Sequence, residues 1–187
     1  MIIIGITGTI GAGKGTVVEY LVKHHGYSHF SVRNFLTEAI HLLGLPVNRD
    51  SMVEVANGMR ANNSPSYIVE QLLKRAVENG HDSIIESIRT PGEIDALRAK
   101  AHFYLLAVDA DPALRYERVI MRKSETDQIS YETFLENEKR EMTSSDPNKQ
   151  NLAVCISKAD FVLNNDGSFQ ELDKQIESIL NQMEKAK

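Results

Sequence analysis

A single cysteine, Cys155, is the whole complement of this 187-residue chain, so no internal disulfide can form. No CxxC pair and no cysteine–histidine spacing is present, which argues against structural zinc and fits a reducing, cytoplasmic setting. Long apolar runs are missing too. The run Met1 to Ile6 is too short to span a bilayer, lacks a basic flank and leads straight into glycines. It reads as a strand rather than a signal peptide, and no targeting segment or membrane association is expected. Positive charge is not in excess: 21 basic against 26 acidic residues give a net charge of -5. That balance argues against a dedicated nucleic-acid surface and leaves small molecules as the expected partners. No repeat, low-complexity tract or linker divides the chain, and one compact domain over residues 1–187 is the expectation. Oligomeric state is left open.

What is present alternates. Ile2, Ile3, Ile4 and Ile6 form a β-branched run of the kind buried on both faces of a parallel sheet. Similar runs recur at 83–86, 103–108 and 161–163, and a weaker one at 27–32. Between them lie stripes at helical spacing, such as Val69, Leu72, Leu73, Ala76 and Val77, or Leu172, Ile176, Ile179, Leu180 and Met183. Strands alternating with helices predict an α/β fold with five parallel strands. Thr90 with Glu93, and Ser168 with Glu171, have the spacing of capping boxes, while Asp111-Pro112 and Ser64-Pro65 predict caps with proline at the first helical position. Residues 123–150 are crowded with charge and poor in apolar periodicity, so they read as a solvated, mobile excursion.

The segment Gly8-Thr9-Ile10-Gly11-Ala12-Gly13-Lys14-Gly15-Thr16 carries the strongest functional signal. Gly8 and Gly13, separated by four residues and followed by Lys14, satisfy the Walker A spacing between a strand and a helix, where phosphate binding needs it. Glycines let consecutive N–H groups turn toward phosphate oxygens, and the following helix adds its positive end. Gly8, Gly11, Ala12, Gly13, Lys14, Gly15 and Thr16 are therefore assigned to the phosphates of a nucleoside triphosphate, ATP, with Lys14 bridging the terminal ones. Thr16, or a water it holds, faces Mg²⁺, an ion that takes few protein ligands. Gly15 displaces the usual Ser/Thr by one position.

Phosphoryl transfer also needs a carboxylate near the metal and cations for the transferred charge. Glu86 ends an apolar strand and is assigned to a Mg²⁺ water or to the acceptor, since the carboxyl ends of strands line the crevice of such sheets. Arg89, beside a capped helix start, suits an acceptor phosphate. Arg118 and Arg122, one turn apart before the charged excursion, suit phosphate contact or base stacking. Arg115 on the same helix reads as a solvated surface charge. Arg140 is assigned to reach the phosphates when the excursion closes, with a surface ion pair as the alternative. Arg60 is a candidate in the acceptor region. His24-His25 have no metal spacing and read as surface residues at a helix end.

These residues resemble the nucleoside monophosphate kinase superfamily, which includes adenylate kinases and dephospho-CoA kinases. The stretch Gly8 to Thr16 is similar to the Gly-x-x-Gly-x-Gly-Lys-Gly-Thr loop of adenylate kinases, displaced threonine included. Glu86-Ser87-Ile88-Arg89-Thr90 resembles their Asp-Gly-Phe-Pro-Arg-Thr element with one residue removed, and the resemblance implies that Arg89 binds the acceptor phosphate. Arg118-Val119-Ile120-Met121-Arg122 resembles the paired arginines that stack on adenine and contact phosphate. Ala159 to Ser168 looks like the ending of dephospho-CoA kinases and of archaeal kinase-like proteins, which implies an adenine-contacting loop containing Asn165 and Gly167. Asn57 to Ala61 and Phe134 to Glu141 are most similar to that archaeal group. Two departures stand out. Thr37 occupies the place of the family's acceptor-binding arginine, for which Arg33 is the candidate substitute, and Glu86 replaces an aspartate. The expectation is a three-layer P-loop fold with an acceptor region at about 34–80 and a lid at about 123–150. Its implied reaction transfers the γ-phosphate of ATP to a nucleoside monophosphate or related nucleotide. Dephospho-CoA kinase-like chemistry and an ATP-dependent switch with a protein partner are the alternatives.

Overall fold

The computed structural model describes residues 1–122 and 129–185. Strand β1 (Ile2–Gly8) is buried along its whole length and occupies the centre of a five-stranded parallel sheet. The sheet order is β2 (Ser28–Ser31), β3 (Ser83–Glu86), β1, β4 (His102–Asp109), β5 (Phe161–Asn164). All four pairings are parallel, with Ile6 opposite Glu86 on one side and Leu106 on the other. Each of the five expected strands is present.

Alternation along β1 sends successive side chains to opposite faces. Ile2, Ile4 and Ile6 pack with Val17, Val18 and Leu21 of α1 (Lys14–His25) and with Ile176, Leu180 and Met183 of α9 (Phe169–Lys185). Ile3 faces the other layer, built from α2 (Val32–Leu42), α3 (Arg49–Asn62), α4 (Tyr67–Asn79), α5 (Pro91–Lys100) and α8 (Leu152–Ser157). This double burial explains why the strand is apolar at almost every position.

Local signals place the helix starts. Thr90 and Glu93 form the expected capping box on α5, and Ser168 with Glu171 cap α9 reciprocally. Asp111 caps α6 (Pro112–Met121) by accepting from the N–H groups of Ala113 and Leu114. Asn48 and Ser51 form a further box that starts α3. The start expected at Ser64-Pro65 is corrected: α4 begins at Tyr67, and Ser66 Oγ donates to Glu70. His25 does end α1 before Gly26, with its ring against Glu177.

The excursion at 123–150 also needs correction. Residues 123–128 fall outside the described residues, but 131–142 form helix α7 (Tyr131–Met142), capped by Ser130. Its two buried residues, Phe134 and Glu141, are two turns apart on one face. Phe134 packs against Ile10 and Val119 and under the Arg115 guanidinium, which docks α7 beside the glycine loop. One aromatic and one carboxylate make too thin a stripe to register as amphipathic periodicity. Phe134→Ala should lower unfolding free energy by about 3 kcal/mol, the usual cost of truncating a fully buried phenylalanine. Denaturant titration checks this, and a loss below about 1 kcal/mol would mean that α7 is not docked.

Candidate functional site

The loop after β1 curls because its glycines occupy left-handed conformations that other residues adopt only at a cost. Gly11 and Gly13 have φ of 79° and 96°. A side chain on Gly11 would meet the Arg115 carbonyl oxygen at 2.3 Å, and one on Gly13 would meet Asn165 Nδ2 at 2.1 Å. The same two residues hold the loop through other atoms. Arg115, expected on the surface, is instead buried, and its guanidinium donates to the carbonyls of Ile10 and Ala110 and pairs with Glu138 of α7. Surface reasoning failed because the helix that carries Arg115 is laid directly over the loop.

From the loop after β5, Asn165 Nδ2 donates to the Ala12 carbonyl at 2.8 Å. Arg118 NH2 donates to the Asn165 carbonyl at 2.8 Å, while its buried NH1 has no partner among the described residues. The structure thus brings Arg118 and Asn165 to the loop. Gly167 lies beyond, where a side chain would meet the Glu171 carboxylate at 2.3 Å.

Two adjoining cavities meet at the loop. One is lined by Gly13, Gly15, Thr16 and Glu19, the other by residues of α2 and α3 with Arg89, Glu141 and Gln150. Lys14, Glu86 and Arg122 line both. Three of the four side chains nominated in the sequence for the reacting centre, all but Arg140, therefore stand where the cavities join. Thr16 and Glu86 share the first cavity, and two hard oxygen donors suit Mg²⁺, which needs few protein ligands beside phosphates and water. Among the described residues no group of three or more histidine, cysteine or acidic side chains is placed to hold a metal ion.

Lys14 Nζ donates to the carbonyls of Gly8 at 3.0 Å and Thr9 at 2.8 Å. Withdrawal from water and the nearby Arg89 charge lower its pKa to about 7, against the opposing pull of Glu86 and Glu141. Burial alone would raise the Glu86 pKa, but a contact to His29 Nε2 at 3.3 Å and the charges of Lys14 and Arg89 outweigh it and hold the carboxyl below its ordinary range. Glu86 and Arg89 face one cavity because Ser87 turns the chain between them. Its φ of 72° is left-handed, which costs a non-glycine residue on the order of 1 kcal/mol, and the N–H groups of Ser87 and Ile88 both donate to the Ile6 carbonyl.

Among the expected acceptor residues, Arg89 lines the second cavity and donates through NH1 to Gln150 Oε1 at 2.8 Å and to Glu141. Arg60 also lines it, wholly buried against Glu93 at 2.8 Å, with NH1 lacking a partner among the described residues. Glu93 in turn caps α5 by accepting from the N–H groups of Arg89 and Thr90, so one carboxylate serves both. Arg33 lines the same cavity as an exposed residue.

Arg140 is not brought in. It pairs with Asp50 at 3.4 Å on the exposed surface, because the helix turns the next residue, Glu141, toward the cavity instead. Glu141 is buried between Arg49 and Arg89; burial would raise its pKa, but the two guanidinium groups lower it overall. Arg49, Glu141 and Gln150 were missed in the sequence. The available signals were the Asn48-Ser51 cap, which starts a helix at Arg49, and the seven-residue spacing of Phe134 and Glu141.

Residues 4–144 match the sequence family described as an AAA domain. UPF0200 protein MJ1399 of Methanocaldococcus jannaschii is 31% identical over 194 residues, covering 100% of this chain and 95% of that protein. Among solved structures, TT1252 from Thermus thermophilus aligns at 24% identity with a TM-score of 0.57, over 97% of each chain. Shikimate kinase from Bacteroides thetaiotaomicron aligns at 14% identity with a TM-score of 0.59, over 98% of each. At such identities the likeness speaks for the fold, which is that of P-loop kinases. By the match of the loop-bearing segment and the full-length identity, the chain belongs to the AAA-domain family of P-loop proteins and to the UPF0200 proteins.

Proposed function

We propose that this protein is an ATP-dependent phosphotransferase whose acceptor is a small phosphorylated compound of the nucleoside monophosphate type. The observation that carries the reading is the pair of adjoining cavities that share Lys14, Glu86 and Arg122. A two-substrate kinase needs a donor chamber at a phosphate loop, an acceptor chamber beside it, and charge at the junction. ATP lies with its phosphates on Gly8 to Thr16, and Asn165, Gly167 and Arg118 face its adenosine end. Thr16 and Glu86 would hold Mg²⁺, which would supply neutralisation of the phosphate charge. Lys14 and Arg122 stabilise the charge on the transferred group. The bond from the γ-phosphorus to the β–γ bridging oxygen breaks as one forms to an acceptor oxygen, and ADP leaves with the electron pair.

Two features favour a phosphate over a hydroxyl as the attacking group. Arg89 and Arg60 supply cations to the acceptor chamber, and a carboxyl held below its ordinary range makes Glu86 a weak base. A phosphate oxygen needs no proton removed. Helix α7, anchored by Phe134 and Glu141, is the described part of the lid and excludes water from the junction.

A coupled assay for ADP with a panel of nucleoside monophosphates and dephospho-CoA tests the reading. Turnover with at least one monophosphate is expected; ATP binding with no ADP above background would instead favour an ATP-dependent switch. Lys14→Ala should abolish turnover in a folded protein. Arg89→Ala should raise the acceptor KM at least about tenfold while leaving that of ATP within about twofold, as expected for loss of a charged hydrogen bond on one substrate.

The lowered pKa of Lys14 adds a pH signature. Above pH 7 the free amine is mostly neutral, and phosphates drawn to the loop favour its ammonium form, so binding must take up a proton. Calorimetry with a non-hydrolysable ATP analogue in buffers of different ionisation enthalpy should show about one proton taken up per site at pH 8 and about none from Lys14 at pH 6. Affinity should fall as pH rises through 7. The same uptake in Lys14→Ala would remove the lysine as its source.

A further inference from the structure

Thr37, at the place where the resemblance expects an arginine, does not reach the acceptor cavity: its hydroxyl donates to the Arg33 carbonyl of its own helix. The neighbouring Arg33 is exposed at the cavity. Arg49 enters the same cavity from the first turn of α3. We propose that Arg49 and Arg89 together form the subsite for the acceptor's own phosphate group, with α3 supplying the arginine absent at Thr37; this rests on the kinase reading above.

Arg49 and Arg89 bind the two oxygens of one carboxylate, Glu141, and so stand on either side of it. Two guanidinium groups this close repel unless an anion lies between or beside them. Glu141 neutralises one of the two charges and leaves one. Among the described residues each arginine is gripped by one side-chain nitrogen only. Arg89 uses NH1 for both Glu141 and Gln150, and Arg49 uses NH2 for Glu141. Arg49 Nε is buried and has no partner among the described residues. A buried N–H without an acceptor costs free energy, which an arriving oxyanion removes. The planar fork of arginine suits two phosphate oxygens at once.

A second buried donor points to the same ligand. Arg60, wholly buried and fixed by Glu93, leaves NH1 without a partner among the described residues and lines the same cavity. Arg49 and Arg60 are eleven residues apart on α3, so they share one face with Met52, Val53 and Ala56 between them. That face offers the acceptor a cation at each end and an aliphatic wall for the body between.

The test uses the full chain with a saturating Mg²⁺ complex of a non-hydrolysable ATP analogue, so that the donor loop is filled. Inorganic phosphate is then titrated by calorimetry. The wild type should bind it, and R49Q and R89Q should each bind at least about tenfold more weakly, the loss expected for a charge-assisted hydrogen bond. R49K keeps an ion pair with Glu141 but loses the fork, and should remain at least about fivefold weaker than the wild type. R75Q, on α4 beside Glu38, should stay within about twofold. Analogue affinity within about twofold of wild type in every variant shows that each is folded. Wild-type phosphate affinity in R49Q or R49K overturns the subsite, as does loss in R33Q without loss in R49Q, or no phosphate binding by the wild type with the analogue bound. Failure of the analogue itself to bind the wild type removes the kinase reading, and is read before any phosphate is added.

Discussion

Burying positive charge at the carboxyl ends of the parallel strands is the constraint on which the rest of the structure depends. Lys14, Arg49, Arg60 and Arg89 line one cavity, and each is drawn at least partly out of water. Cations in such a place are tolerated only when paired. The compensating charges come from separate elements: Glu93 of α5 pairs with Arg60 and Glu141 of α7 with Arg49 and Arg89, while Glu86 of β3 acts on Lys14 through its field. Pairing the charges therefore ties α3, α5, α7 and the segment after β3 to one another.

The pairing is incomplete in an informative way. Arg49 Nε, Arg60 NH1 and Arg118 NH1 are buried donors without partners among the described residues, and all three belong to arginines beside the cavities or the loop. Buried donors are ordinarily satisfied. Their concentration around one cleft is what a site for oxyanions requires. The lowered pKa of Lys14 has the same origin, because crowding by Arg89 and loss of water both disfavour its charge until an anion arrives.

The loop itself depends on close approach. Gly11 and Gly13 admit the Arg115 backbone and the Asn165 amide so closely that any side chain would collide. In return the Arg115 guanidinium and Asn165 satisfy loop carbonyls that would otherwise be buried without donors. Helix α6 and the loop after β5 thus set the shape of the phosphate-binding backbone, although neither touches it in sequence.

The sequence by itself determined the five strands, the burial of β1 on both faces, the glycine loop and most of the helix starts. These depend on interactions between residues a few positions apart: alternation for double burial, spacing for the loop, a hydroxyl and a glutamate for a cap. Tertiary structure decided which charges face inward. Arg115 and Arg140 both sit on helices that carry charges of either sign, yet one is buried against the loop and the other pairs with Asp50 at the surface. Arg49 and Glu141 are 92 residues apart and carry no local mark of their pairing. A charged side chain is informative only through its partner, and when the partner is supplied by a distant helix the pairing exists only once the chain has folded.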